Sequence, residues 1–199
     1  MNAYLSLATT SEGSYREKGS KFYAFAYPVT DETEVDIHLA NLRKRHHRAR
    51  HHCYAFVLKP AAGQEERFRA SDDGEPTHSA GDPILGQIRS HRLLDVLVVV
   101  VRYFGGTKLG IGGLINAYKL AAADAIGHNR IVERVRTEAL SIRFDYGVTS
   151  EVQRVLHHYN AEVVQQEFAE QCCFRLRVVQ STQEEAKIAL AGIPGVVFL

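Results

Sequence analysis

Five glycines and one lysine fall within nine residues, Gly105-Gly106-Thr107-Lys108-Leu109-Gly110-Ile111-Gly112-Gly113, shortly after an apolar run that ends at Val101. Glycine loses more backbone entropy on folding than any other residue, so this density implies positive-φ turns or a close approach by another group. A strand that feeds a glycine-rich turn and then a helix N-terminus presents backbone amides to anions. Lys108 and Arg102 are the nearby counter-charges. The run is not a Walker A loop, because no Gly-Lys-Ser/Thr occurs. It also departs from the dinucleotide fingerprint, because Ile115 stands where the third glycine belongs. Two readings stay open: an anion cradle over residues 105–113, or a tight turn that lets the next helix pack on the strand.

A second cluster lies in the loop Ser71–Pro83, where Asp72, Asp73 and Glu75 put three carboxylates within four residues beside Gly74 and Pro76. Hard oxygen ligands at that spacing suit Mg²⁺, which would bridge a phosphate to Lys108. Equally, an Asp-Gly pair is a common turn device, and the acids can pair with Arg69 or Arg102. The loop lacks the longer ligand ladder of an EF-hand, so no cofactor is assigned and Mg²⁺ is kept only as an alternative. A third cluster is Arg43–His52, with five fixed positive charges and four histidines in ten residues. Basic side chains complement a helix C-terminus. They also suit a phosphate-tracking patch, with Arg48 and His51 as members, that strengthens as histidines protonate below about pH 6.5. The histidine spacing gives no metal geometry, because the helix ends between the two pairs.

No nucleophile constellation is visible. GxSxG is absent, Cys53 reads as a core strand residue, and His157 and His158 read as surface histidines on a helix. The three cysteines form no CxxC pair, and Cys172 and Cys173 are adjacent, which argues against a disulfide framework. In a strand those two neighbours point to opposite faces, so at most one enters a core. The N-terminus lacks a basic segment followed by a long apolar one, and Leu93–Val101 is far too short to span a bilayer. The expected compartment is the cytoplasm, with no membrane partner.

The elements that position these clusters follow from hydrophobic period. Lys21–Val29 reads as a strand ending near Pro28. Asp31 with Glu34 then opens a helix carrying Val35, Leu39 and Leu42 to about residue 46. Cys53–Leu58 and Glu66–Ala70 read as strands, Ile84–Ser90 as a short helix, and Leu93–Val101 as a central strand buried on both faces. An Ala-rich helix is expected over Leu114–Gly127. Beyond Arg136 the pattern changes. Leu140, Ile142, Phe144 and Tyr146 alternate with polar residues, Thr149 caps a helix, and Val163–Phe168 and Cys172–Val179 form a hairpin. Ser181 with Glu184 opens a last helix, and Val196–Leu199 is a terminal strand. That order is β-α-β-β-α-β, the ferredoxin-like plan. The expected domains are therefore 1–133 and 134–199, in an α+β protein. Its 199 residues, 45% of them hydrophobic and 24% charged, carry a formal net charge of +1, which excludes a polycation that coats nucleic acid over its whole surface.

Three segments in order, Arg48–Tyr54 (RARHHCY), Ser71–Leu85 (SDDGEPTHSAGDPIL) and Val96–Tyr118 (VLVVVVRYFGGTKLGIGGLINAY), resemble the signature of the YigZ/IMPACT family. The resemblance implies an N-terminal β3-α-β-α domain similar to domain IV of elongation factor G, followed by a small ferredoxin-like domain. Eukaryotic relatives are linked to translational control through the scaffold that activates the amino-acid-starvation kinase. The expected partners are therefore RNA, the ribosome or a translation-regulatory protein, and no catalytic residue is assigned. The expected binding surface combines Arg48, His51, Asp72, Asp73, Glu75, Arg102, Gly105, Gly106, Lys108, Gly110, Gly112 and Gly113. An Mg²⁺-dependent enzyme acting on a phosphorylated or nucleotide substrate, and a protein-interaction module with a purely structural motif, are the alternatives. Two positions depart from the family pattern: His78 stands where glycine is usual, and Asn116 where arginine is usual.

Overall fold

The computed structural model describes residues 3–60 and 65–199. It is an α+β protein with a five-stranded and a four-stranded antiparallel sheet and, among the described residues, five α-helices. The chain divides into two compact units, Leu5–Glu133 and a second made of Arg134–Leu199 with the first residues to Tyr4. Strand β1 (Ala3–Leu7) pairs with β7 (Ile131–Val135), and the boundary between units falls inside both strands.

The first unit contains β2 (Ser11–Glu17), β3 (Ser20–Pro28), α1 (Glu32–Arg45), β4 (His51–Leu58), β5 (Arg67–Ser71), α2 (Gly81–Ser90), β6 (Val96–Tyr103) and α3 (Gly110–Gly127). Its sheet runs β2-β3-β6-β4-β5. As its unbroken apolar sequence requires, β6 is central and residues 96–101 are fully buried. Alternate side chains serve two cores. Val96, Val98 and Val100 pack with Ile84 and Ile88 of α2 and Ala117 and Ala121 of α3, whereas Leu97, Val99 and Val101 pack with Val35, Leu39 and Leu42 of α1. Each valine buried this way contributes about 1.5 kcal/mol or more.

Helix α1 starts as the spacing predicts: the Asp31 carboxylate accepts the Glu34 amide at 2.9 Å. Glu34 in turn accepts the amide of Thr30, one residue before the cap, at 2.7 Å. The other helices begin earlier than the apolar period suggests, α2 at Gly81 rather than Ile84 and α3 at Gly110 rather than Leu114. Their first turns are glycine-bearing and polar, and first-turn amides need no partner within the helix. The central strand starts late, at Val96, because Asp95 adopts φ +57°. Its buried carboxylate accepts the Lys59 amide at 2.8 Å.

Strand β2 is not predicted by hydrophobic pattern. Its sequence is polar, and it is held by α3: the Ser11 hydroxyl donates to the Ala125 carbonyl at 2.6 Å, and the Ser14 amide donates to the Asp124 carboxylate at 2.8 Å. Gly13 permits that approach, since a Cβ there would lie 2.3 Å from the Ala125 nitrogen.

The second unit contains β8 (Thr137–Phe144), α4 (Thr149–His158), β9 (Glu162–Phe168), β10 (Cys172–Val179), α5 (Gln183–Ala191) and β11 (Val197–Phe198). The order is β-α-β-β-α-β and the sheet runs β11-β8-β10-β9. Leu140, Ile142 and Phe144 of β8 and Phe174, Leu176 and Val178 of β10 bury one face against Val152, Leu156, Ala186 and Leu190 of the helices. Cys172 is buried and Cys173 only half-buried, as neighbours on one strand must be. Three local expectations are corrected. Tyr146 is exposed in a short 3₁₀ turn, where its hydroxyl donates to the Ala169 carbonyl at 2.8 Å. Thr149 does not cap α4, because its hydroxyl donates backwards to the Tyr146 carbonyl at 2.8 Å. Ser181 does not cap α5, which starts at Gln183 after a second 3₁₀ turn. Among the described residues no helix is long and apolar enough to cross a membrane.

Candidate functional site

Antiparallel pairing brings the separated motifs together at one end of the first unit's sheet. The β4–β6 register places His51 opposite Arg102, and the β3–β6 register places Phe22 opposite Arg102 on the other side. Arg102 is the last residue of β6 on the α2/α3 face, and its side chain is only 7% exposed. Its guanidinium donates to Glu75 Oε1 at 2.6 Å, and the same oxygen accepts the Tyr118 hydroxyl at 2.8 Å. Cys53 Sγ lies 3.3 Å from that hydroxyl and 3.0 Å from the Asp72 carbonyl. Both charges of the Glu75–Arg102 pair are removed from water, so losing either partner alone would strand the other. Burial pushes both the Cys53 thiol and the Tyr118 phenol up, and the Glu75 carboxylate adds to each shift. The Cys53 thiol and the Tyr118 hydroxyl are therefore held in their protonated forms at neutral pH.

The acidic loop is oriented inward. Asp72 Oδ1 accepts the amides of Ala80 and Gly81, each at 2.9 Å, and Oδ2 accepts that of His78 at 2.8 Å, so this carboxylate closes the N-terminus of α2. Burial alone would raise its pKa, but the three backbone donors, helped by His78, outweigh burial and hold it below the ordinary value. Asp73 Oδ2 accepts the His52 amide at 2.7 Å, and Oδ1 lies 3.3 Å from Arg43 Nη2. The three carboxylates thus engage three separate sets of partners. Among the described residues no group of three or more His, Cys, Asp or Glu side chains converges as a metal site.

Outside this inward network, a cleft of about 850 Å³ opens between the loop following β6 and the residues leading into β4. Arg48, His51, Glu75, Arg102, Lys108 and Gly110 line it, as do Arg50, Tyr103, Phe104 and Ile111, which motif reading did not single out. Arg48, Arg50 and Lys108 are exposed. None of the three forms an ion pair among the described residues. Since Glu75 is only 4% exposed and paired with Arg102, the charge that the cleft presents is positive.

The glycines separate by role. Gly105 is structural: its amide donates to Ser20 Oγ at 3.1 Å, and a Cβ there would lie 1.9 Å from the Gly19 carbonyl carbon. Gly110 takes φ +71° where α3 begins, at the cleft wall. Gly106 lies in the exposed turn, Gly112 and Gly113 lie in the first turn of α3, and none of these three lines the cleft. A Cβ on Gly112 would meet nothing within 4 Å, so packing gives no reason for glycine there. Asp72 and Asp73 do not line the cleft either. His78 takes φ +64°, a left-handed conformation that suits the glycine usual at this position, and its Nδ1 lies 2.6 Å from Asp82 Oδ2. Asn116 is exposed on α3.

Residues 18–126, which contain the whole cleft, match the family described as the Impact N-terminal domain. The chain is 34% identical over 147 residues to the IMPACT family member YvyE of Bacillus subtilis, a match spanning 73% of this chain and 66% of that protein. It is 32% identical over 168 residues to an IMPACT family member of Haemophilus influenzae, spanning 84% of this chain and 81% of that one. A crystal structure of a hypothetical protein aligns with all of this chain and 97% of its own, with a TM-score of 0.74 at 24% identity, and shares the fold. With the motifs assembled at one end of one sheet and the family match covering them all, the chain belongs to the IMPACT family.

Proposed function

We propose that this protein is a cytoplasmic, non-catalytic, translation-associated factor that binds RNA, free or within the ribosome, through the cleft of its first unit. The observation that carries this reading is the set of exposed cations Arg48, Arg50 and Lys108 around a cleft whose one acidic side chain among the described residues, Glu75, is already neutralised. Phosphate groups are the common biological anions that such a surface attracts, and a local patch suffices on a chain with net charge +1. The inward-facing acids and the protonated Cys53–Tyr118 pair favour binding over catalysis. Kinship with a family linked to translational control adds to the reading. So do the proposed likeness of the first unit to domain IV of elongation factor G and the ferredoxin-like plan of the second.

The test is a titration of the purified chain with bulk RNA at a series of salt concentrations. Three phosphate contacts give a log–log slope of about −2 for single strands, and Lys108→Ala reduces it by about 0.7. Absence of binding at low salt, or a slope that Lys108→Ala and Arg48→Ala leave unchanged, overturns the reading. So does affinity capture from lysate that retrieves a regulatory protein at every salt concentration and no RNA at any.

A further inference from the structure

The geometry points to a ligand strand that is unpaired: single-stranded RNA crosses the end of β6 with a base stacked on Phe104. The inference rests on the RNA reading above and specifies the form of RNA. Successive residues leave β6 on different sides. Arg102 faces α2 and α3, Tyr103 faces α1 opposite Lys21, and Phe104 lies beyond the last pair with 56% of its surface exposed. A lone exposed aromatic is ordinary, but this one stands in the wall of two clefts at once. The Arg102 guanidinium, fixed by Glu75, lies 5.5 Å from its ring centroid and supports it from the sheet side.

On the α1 side of the same strand end lies a second depression of about 580 Å³, walled by Lys21, Tyr23, His46, Tyr103 and Phe104. Its rings are packed against one another. Tyr23 and Tyr103 meet edge to face at 5.9 Å between centroids, and His46 Nδ1 lies 3.0 Å from the Tyr103 hydroxyl. One cleft therefore offers free cations, the other offers aromatic rings with one lysine, and Tyr103 and Phe104 join them. Cations that track a backbone beside accessible ring faces are what unpaired nucleotides use, because their bases are free to stack. A duplex hides its base faces and leaves the aromatic half of this surface without a function. A purely acidic peptide, without rings of its own to stack, would likewise use the cations alone.

The experiment compares a single-stranded oligonucleotide of about twelve nucleotides with its duplex, and adds polyglutamate as a competitor. The full-length chain is used. Phe104 is exposed, so Phe104→Ala leaves the fold intact, and Phe68→Ala removes another exposed ring as a control. Single strands are expected to bind more tightly than duplex. Phe104→Ala is expected to weaken them about five- to a hundredfold without changing the salt slope, the scale of one lost base stack. The chain contains no tryptophan, so Phe104→Trp supplies a single indole, excited selectively over the nine tyrosines, that a stacked base quenches. Equal binding of duplex and single strand, an unchanged affinity in Phe104→Ala, unquenched Phe104→Trp, or binding of polyglutamate as tight as that of the single strand at equal charge overturns the inference. If RNA still binds with Lys108-dependent salt sensitivity, those results leave the cleft reading standing. Failure of the native chain to bind RNA in any form removes both.

Discussion

Replacing Asp72 with alanine removes the two carboxylate oxygens that accept three backbone amides at the start of α2. The lost partners are the amides of His78 at 2.8 Å and of Ala80 and Gly81 at 2.9 Å each. One cap of this type is worth about 1 kcal/mol, and hydrogen bonds to a charged group about 1.5–3 kcal/mol each. Water can reach the partly exposed site and recover some of that, so the expected loss is about 3 kcal/mol, or roughly 10 °C in Tm. Asp72→Asn should cost less. Its oxygen can keep Ala80 and Gly81, but its NH2 then opposes the His78 amide. Because the backbone amides hold the folded Asp72 carboxyl below its ordinary value, its stabilisation is complete above that ordinary value and is lost as pH falls through the depressed one. The gap between native chain and Asp72→Ala should thus persist from neutral pH to about pH 4 and close below it. Urea and thermal unfolding, followed by circular dichroism in EDTA and in Mg²⁺, measure it. A loss that appears only in Mg²⁺, or an unchanged unfolding midpoint in EDTA, refutes the capping argument and restores the metal-ligand reading.

Two further outcomes test the same end of the sheet. Gly105→Ala forces a Cβ onto the Gly19 backbone and should cost about 3 kcal/mol or more. Gly112→Ala enters open space and should stabilise α3 by about 0.5–1 kcal/mol, so the two variants should move apart in thermal unfolding, and a parallel fall in both contradicts the assignment. Arg102→Met strands the buried Glu75 carboxylate and should cost about 3–5 kcal/mol, whereas adding Glu75→Gln should recover part of that loss in a double-mutant cycle; strict additivity would show that the pair is not coupled.

Much of the fold is legible in the sequence because one chemical contrast writes it. In β10 the burial of Phe174, Leu176 and Val178 between exposed Arg175 and Arg177 is a wet-and-dry alternation that needs no tertiary knowledge. The run 96–101 reads as a strand covered on both faces for the same reason. Strand β2 is invisible because Ser11, Gly13 and Ser14 are held by hydrogen bonds and close approach to α3, neither of which leaves a hydrophobic trace. The site was half legible. Lys108, Arg102, Arg48 and His51 stood out by type, but nothing local distinguishes Arg50 or Phe104 from other basic or aromatic residues until strand pairing sets them beside a cleft. The acidic loop misleads for a physical reason: backbone amides, which have no letter in the sequence, are the ligands of Asp72.

The composition of β6 leaves its alignment underdetermined along most of its length. Sliding VLVVVV by one residue against β3 and β4 exchanges valine for valine almost everywhere, so neither core objects strongly to the slip. The objection comes from the end. A shift by one residue would carry the Arg102 guanidinium away from Glu75 towards α1 and turn the Tyr103 ring onto a buried carboxylate. Arg102 and Tyr103, which line the first cleft and, for Tyr103, the second as well, therefore also act as the strand's registration mark: the residues that shape a binding surface are the ones that hold the central strand in frame.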